Sequence, residues 1–277
     1  MPTLIRTTNP LRQLADTIWE RFGLRLPDEK LSFVASRLGT MARSGGFASV
    51  EALAADLVEH PSEERLLAVF DALSTNVTSF FRDAPHFESL AREIYTPLRS
   101  RGGTPTIRLW SAACSTGAEP YSLAMHACDV FGADKVKDCQ ILATDLSQPA
   151  LDAAMRAVYP DDSLTGISQE QLNKYVLRGT GKCAGFVKIS DHLRSMVTFK
   201  RQNLLDSWPW HGPFDAVFCR NVMIYFERPV RERLVKRMRS TLRNGGLLVL
   251  GSSESLSGLD VGTMRMVSPS VYRRVDP

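Results

Sequence analysis

An apolar run from Ile107 to Ala113 passes through the small-residue turn Cys114-Ser115-Thr116-Gly117 into Ala118-Glu119-Pro120-Tyr121-Ser122, which reads as buried strand, tight turn and helix start. This succession commits the chain to an α/β layout. Pro120 suits the first turn of a helix, and only side chains this small let the backbone approach a ligand closely. Helix-start amides would point at that ligand. A phosphate-binding loop wants a Lys after its glycines and a dinucleotide fold wants three spaced glycines, whereas this turn has one glycine and an acid, Glu119. An acid repels phosphate and suits a ligand bearing an ammonium, such as the methionine moiety of S-adenosylmethionine. Taken alone, the turn equally fits a packed strand-helix junction with no ligand.

A second short strand, Gln140 to Asp145, ends in a carboxylate 28 residues after Gly117. Asp145 is therefore placed to accept both ribose hydroxyls of a nucleoside; the plainer alternative is that it merely precedes Ser147, an N-cap for a helix running to Tyr159. Phe214 to Cys219 is a third apolar strand emptying into Arg220-Asn221. The helix Arg228 to Leu242 then stops at Asn244-Gly245-Gly246, and a strand from Leu247 to Gly251 begins. A helix stopped by a glycine pair before an apolar strand is a frequent late element of S-adenosylmethionine-dependent methyltransferases.

Four ordered blocks carry a resemblance that spans nearly the whole chain: Ser74-Thr75-Asn76-Val77-Thr78-Ser79-Phe80-Phe81-Arg82, the Ala112-to-Ser122 turn, Ala143-Thr144-Asp145, and Phe218-Cys219-Arg220-Asn221-Val222-Met223-Ile224-Tyr225-Phe226. With these the sequence resembles the chemotaxis receptor glutamate methyltransferases, the CheR family. One departure stands out: the position before Glu119, usually acidic in the family, is Ala118. The ammonium contact is therefore carried over to Glu119 alone.

Periodicity and punctuation give the domains. Apolar residues recur at helical spacing in Leu11 to Phe22, Leu31 to Met41, Val50 to Val58 and Leu66 to Leu73. The expected division is a helical domain over 1–100 and a methyltransferase domain over 101–277, broken at Arg101-Gly102-Gly103-Thr104-Pro105. Beyond the break, strands and helices alternate as in a doubly wound sheet. Residues 160–199 interrupt that alternation, with Tyr175 to Leu177 and Phe186 to Ile189 predicted to form a hairpin around a glycine-rich turn, and Met196 to Lys200 as a further strand. The expected fold class is thus α/β: a Rossmann-like class I methyltransferase sheet with an N-terminal all-helical domain and a small inserted antiparallel β-subdomain.

Five scattered cysteines without close pairs argue against a disulfide framework and a zinc site, so no metal is expected. Met1 to Pro10 has no apolar leader core and no run approaches the length of a spanning helix, so a cytoplasmic monomer that meets the membrane only through a partner is expected. Net charge is +4 and unevenly spread: residues 1–45 carry seven basic and four acidic side chains, residues 46–73 one and six. The helix from Arg228 to Arg243 is the most basic stretch, read either as a solvated face or as a surface for an acidic partner; no nucleic-acid partner is expected.

The resemblance implies S-adenosyl-L-methionine as cofactor, with S-adenosyl-L-homocysteine as product, and implies a site. Asn76, Thr78 and Arg82 would line the cofactor pocket, Glu119 and Asp145 would hold the ammonium and the ribose, Asn203-Leu204 would contact adenine, and Arg220-Asn221 would end a strand at the crevice. Arg82 and Tyr225 would be the catalytic pair, Arg82 pairing with a carboxylate of the cofactor or substrate and Tyr225 orienting the substrate carboxylate. Plainer roles stay open: caps for Asn76 and Thr78, a surface position for Arg82, a turn for Asn203, a core aromatic for Tyr225. Methyl transfer to an ionised carboxylate needs no strong base, which fits the lack of an obvious catalytic dyad.

The resemblance further implies a chemoreceptor's cytoplasmic helical region as partner, met by Lys30 and Arg37 on the Leu31-to-Met41 helix. It also implies a receptor C-terminal tail held at Arg178, Gly179 and Gly181, or else an insertion that only covers a sheet edge. The expected activity is methylation of receptor glutamates to glutamyl methyl esters. The alternatives are a methyltransferase of the same fold acting on RNA, and a scaffold that binds S-adenosylmethionine without turnover.

Overall fold

The computed structural model describes residues 9–102, 106–133, 136 and 138–276. The expected leader-free segment before Asn9, and Gly103-Thr104-Pro105 of the expected break, lie outside the described residues. Two compact units divide between Thr75 and Asn76, earlier than the break at Arg101. The reason lies in Phe87, Leu90, Ile94 and Tyr95, which are buried in the core of the second unit.

The first unit is helical. It comprises α1 (Pro10–Phe22), α2 (Leu31–Ser44), α3 (Val50–Glu59) and α4 (Glu63–Leu73). Asn9 caps α1 through Oδ1, which accepts from Leu11 N at 3.0 Å, and Gly23 ends it at φ 76°. Ser49 and Ser62 cap α3 and α4 in the same way. These caps each stabilise a helix start by roughly 1 kcal/mol. Leu14, Ile18, Val34, Leu38, Ala54 and Val69 form its interior. Lys30 and Arg37 are exposed, Lys30 at the N-cap of α2 and Arg37 over the Phe33 ring at 5.1 Å.

In the second unit α5 (Ala84–Leu90) runs through a π-helical turn, Ala91–Tyr95, into α6 (Thr96–Ser100). Then follow β1 (Ile107–Ala112), α7 (Ala118–Phe131), β2 (Cys139–Asp145), α8 (Gln148–Arg156), β3 (Val158–Pro160), α9 (Gln169–Tyr175), β4 (Val176–Arg178), β5 (Phe186–Ile189), α10 (Asp191–Ser195), β6 (Val197–Arg201), β7 (Phe214–Cys219), α11 (Arg228–Thr241), β8 (Leu242–Leu250), β9 (Met264–Ser268) and β10 (Val271–Arg274). The main sheet has the order β6-β2-β1-β7-β8-β10-β9. Its first five strands are parallel, and β10 is antiparallel to both β8 and β9.

Period-two alternation builds the two faces. Ile107, Leu109, Ala216, Phe218, Leu247 and Val249 pack with α7 residues in one core, whereas Trp110, Ala112, Val217, Cys219, Leu248 and Leu250 pack with Leu234, Val235 and Met238 of α11 in the other. This is a three-layer Rossmann-like sheet with helices on both faces, with a separate antiparallel sheet β3-β5-β4.

Three boundaries differ from the sequence reading. The helix after Ser147 ends at Arg156, because Ala157 turns left-handed (φ 54°) and Tyr159 enters β3, its hydroxyl donating to Thr116 O at 2.7 Å. Val197–Arg201 belongs to the main sheet as the strand beside β2, so the inserted sheet spans Val158 to Ile189. Finally, β8 starts at Leu242 and carries Asn244-Gly245-Gly246 inside it, where a bulge opposite Phe214 and Ala216 absorbs the glycines.

Three of the six cations of α11, and Arg243 after it, are ion-paired. Arg228 pairs with Glu232, Lys236 with Asp260, Arg239 with Asp276, and Arg243, just beyond the helix, with Asp215. Arg237 lies over the Trp208 ring at 4.0 Å and donates to Leu204 O at 3.1 Å. This helix therefore braces its surroundings through these contacts. All five cysteines are free; Cys114, Cys128, Cys139 and Cys219 are buried, with thiol pKa values pushed up chiefly by burial, and Cys183 is exposed.

Candidate active site

The strand order places a topological switch at β1: its connection through α7 leads to β2 on one side while β7 lies on the other. Crevices of this kind, at the carboxyl ends of parallel strands, are where such sheets bind ligands. Ala112, Thr144 and Cys219 are in register there. The turn after Ala112 takes positive φ at Ala113 (70°), Ser115 (51°) and Gly117 (93°), a tight coil in which two non-glycine residues hold the uncommon left-handed region. A Cβ at Gly117 would stand 2.8 Å from Ala154 Cβ and 3.0 Å from Tyr159 Oη, so the glycine is required on both conformational and packing grounds.

Asp145 ends β2, 9% exposed, and its carboxylate is fixed by two backbone donors: Ser115 N to Oδ2 at 2.7 Å and Ser147 N to Oδ1 at 3.0 Å. Ser147 also caps α8, accepting from Ala150 N. Asp145 thus ties the turn after β1 to the start of α8, and the two readings of it, ligand and helix entry, share one geometry. Asn76 belongs to the same corner. Its carbonyl accepts from Ser115 Oγ at 2.9 Å and its Nδ2 lies 3.5 Å from Ser147 Oγ.

Across the switch point a buried ion pair joins α7 to β7. Glu119 stands in the first turn of α7, where the helix dipole favours an acid. Its Oε1 accepts from Ser111 Oγ at 2.6 Å and its Oε2 from Arg220 Nη1 at 2.9 Å. Arg220, with its side chain 3% exposed, uses Nη2 to reach both Arg82 O and Asp83 Oδ2 at 2.6 Å. Burial raises the Asp83 pKa, but the hydrogen bond and charge of Arg220 outweigh it and hold the carboxyl below its ordinary value. Neighbouring His86 is pushed down to about 4 by burial and then by Arg220, so it is neutral. Arg220 is therefore an internal fork that fastens the Asn76-to-Asp83 segment to the sheet.

The remaining expected residues divide into two kinds. Arg82 is half-buried, donates only to Val77 O at 3.3 Å and forms no ion pair among the described residues. Tyr225 is half-buried, lies outside the core clusters, and its hydroxyl has no hydrogen-bond partner among the described residues. A core aromatic would be enclosed; Tyr225 is not. Thr78 is half-buried. Asn203 is buried and turns the chain, with Oδ1 accepting from Leu205 N at 3.0 Å, and Leu204 packs into the core on the α11 face. Asn221 holds the left-handed conformation, φ 59°.

In the inserted sheet Arg178 ends β4, exposed, and the glycines are set by the turn. Gly179 N donates to Phe186 O at 2.8 Å, a Cβ on it would meet Cys183 O at 2.0 Å, and Gly181 has φ 57°. Sequence reasoning missed Ser111, Asp83 and Glu254. Asp83 follows directly on a recognised block and Glu254 closes Gly251-Ser252-Ser253-Glu254 after a strand, so adjacency to that block and to that strand end was the available signal.

The described helices include none long and apolar enough to cross a membrane. A family model described as "CheR methyltransferase, SAM binding domain" matches residues 76–272, beginning at the first residue of the second unit. A chemotaxis protein methyltransferase of Klebsiella aerogenes is 39% identical over 89% of this chain and 83% of its own length. Chemotaxis protein methyltransferase 2 of Pseudomonas aeruginosa is 36% identical over 96% and 93%, and the Escherichia coli chemotaxis protein methyltransferase 36% over 90% and 85%. The switch-point site, the sheet and these matches agree, and the chain belongs to the CheR methyltransferases, S-adenosylmethionine-dependent enzymes that methylate protein.

Proposed function

We propose that this enzyme methylates glutamate side chains in the cytoplasmic helical region of chemoreceptors, producing glutamyl methyl esters. The observation that carries the reading is a strand-end crevice with a rigid anchored half, adjoined by segments that bear two uncommitted polar side chains. Asp145, Glu119 and Arg220 are locked into the fold, while the Arg82 guanidinium and the Tyr225 hydroxyl are left with polar capacity to spare.

The residues fit S-adenosylmethionine. A buried carboxylate fixed by amides at the end of the second strand suits a ribose diol, and the buried amide of Asn203 both donates and accepts, as an adenine edge requires. Glu119 acts first as the partner of Arg220; an ammonium contact would use the acceptor capacity that Ser111 and Arg220 leave on it. Asn76 and Thr78 would complete the wall. When bound, the cofactor supplies a methyl group on a sulfonium.

The protein's own part is orientation and exclusion of water, because the attacking carboxylate is ionised at neutral pH and both reactants lose charge on the way to products. Arg82 would hold the incoming carboxylate and Tyr225 would set its angle. The test separates the two roles. Asp145→Ala should weaken S-adenosylhomocysteine binding by about 1.5–3 kcal/mol, the range for a hydrogen bond to a charged group. Tyr225→Phe should lower kcat on receptor-bearing membranes with cofactor affinity nearly unchanged. Base-stable label on the product, or equal loss of turnover and affinity in Tyr225→Phe, would reject the reading.

For the substrate, the exposed cations Lys30 and Arg37 of the helical unit suit a receptor helix bearing several glutamates. Exchanging both for Glu should slow methylation, with a loss that shrinks at high salt. A double variant with wild-type rates at low salt would show that these charges are only solvated.

The inserted sheet offers a second contact. A receptor's C-terminal tail could add as a strand beside β4, next to Arg178, with main-chain bonds supplying affinity and the guanidinium taking an acidic group. Immobilised tail peptides should bind the wild type and not a variant lacking Arg178 to Gly185. Equal binding by both would remove the tether.

A further inference from the structure

We infer that Glu254 is a positioning residue for methyl transfer, the latch that holds the loop carrying Asn221 and Tyr225 in its working shape. The loop from Asn221 to Phe226 leaves the central strand β7 at the crevice, and three features describe how it is held. Asn221 stands at φ 59°, the left-handed region, which non-glycine residues enter uncommonly and Asn more readily than most, so the chain turns sharply where the loop begins. The segment has just one short 3-10 turn, Met223–Tyr225, whose own bonds are Tyr225 N to Val222 O at 3.2 Å and Phe226 N to Met223 O at 3.1 Å. Met223 and Phe226 anchor the loop in the core on the α11 face, while Ile224, at the turn's centre, is 55% exposed and gains no such hold.

Glu254 adds a polar restraint to these apolar anchors. Its residue is 7% exposed, and it turns both carboxylate oxygens onto backbone amides. Oε2 accepts from Asn221 N at 2.8 Å and from Gly251 N at 2.7 Å, and Oε1 accepts from Ile224 N at 3.3 Å. One buried carboxylate thus fastens the end of β8 to both the start and the middle of the loop. Its backing is rigid as well. Glu254 N donates to Gly251 O at 2.8 Å, and Ser270 Oγ donates to Glu254 O at 3.0 Å. Gly251 leaves the carboxylate its place: a Cβ there would meet Asn221 Nδ2 at 2.7 Å and Glu254 Oε2 at 2.8 Å. No cation pairs with Glu254 among the described residues, so its charge is met by amide donors alone. A charge satisfied in that way binds its donors more tightly than a neutral acceptor would.

The inference rests on the proposed role of the loop in turnover, and Glu254→Gln tests it separately. A glutamine keeps the shape but has a single acceptor oxygen. That oxygen can serve Asn221 and Gly251, and the amide nitrogen is then set against Ile224 N, releasing the half of the loop that bears Tyr225. Amide hydrogen exchange in the 221–226 segment should accelerate about tenfold or more, as expected for losing a hydrogen bond to a charged group, with β1, β2 and β7 unchanged. On receptor membranes kcat should fall by about tenfold while S-adenosylhomocysteine affinity stays within about twofold, the signature of a group that acts on the reacting geometry and not on binding.

Unchanged exchange in 221–226, or faster exchange with wild-type kcat, overturns the latch. So does an equal loss of kcat and cofactor affinity, which would mark Glu254 as a general support of the pocket. If the glutamine variant does not fold, Glu254→Asp keeps the charge, shortens its reach and is read by the same two measurements. The proposed reaction is judged independently, by the base-labile label on wild-type product.

Discussion

Replacing Arg220 with Met should lower stability by about 3–5 kcal/mol, the range for breaking a buried ion pair from one side. The cost does not come from the guanidinium's own transfer into the protein but from what it leaves behind: Glu119 and Asp83 without their cation, and Arg82 O without a donor. Arg220→Lys should recover only part of the loss. A point charge cannot reproduce a fork that reaches Glu119 through Nη1 and the Arg82-Asp83 backbone and side chain through Nη2. Because that fork fixes the segment from Asn76 to Asp83, cofactor affinity should fall together with stability. Thermal unfolding and calorimetric titration with S-adenosylhomocysteine read both effects. A Met variant that melts and binds like the wild type would show that the ion pair is idle.

Gly117→Ala should be nearly as severe. The left-handed conformation costs an alanine about 1–2 kcal/mol, and overpacking against Ala154 and Tyr159 adds about 1–3 kcal/mol. The strain falls on the same turn whose Ser115 amide holds Asp145. Loss of cofactor affinity should therefore exceed that of a comparable substitution elsewhere in the core, and a crystal or exchange measurement should show the turn displaced. Wild-type affinity in a destabilised variant would separate the glycine's packing role from the site.

Much of this molecule could be read from residues near one another in the chain. The strands at Ile107, Gln140 and Phe214 and the helices of the first unit are strongly periodic and punctuated by Gly, Pro and Ser, so local pattern and tertiary structure agree. Elements were misplaced where local pattern is weak. Val197–Arg201 is a half-exposed strand with no apolar run, and only its pairing with β2 reveals that it belongs to the main sheet. Likewise the glycine pair before Leu247 looks like a stop, because nothing in the sequence announces that β7 accepts a bulge there.

In the site, Asp145 and Gly117 announce themselves by position at strand ends. What sequence cannot show is the meeting of Glu119 with Arg220, 101 residues apart, or the convergence of three amides on Glu254. Those contacts are made by the topology of the sheet. They turn residues that look like ligands into the frame that holds the ligands' neighbours.

The distribution of thiols gives the inserted sheet an address of its own. Four cysteines are sealed in the interior with their thiol forms favoured, so at neutral pH they offer a maleimide almost no thiolate, while Cys183 sits exposed in the turn between β4 and β5. A single fluorophore can therefore be placed on native protein beside Arg178 without changing a residue, and its anisotropy will follow whatever docks on that hairpin while the catalytic crevice stays unlabelled.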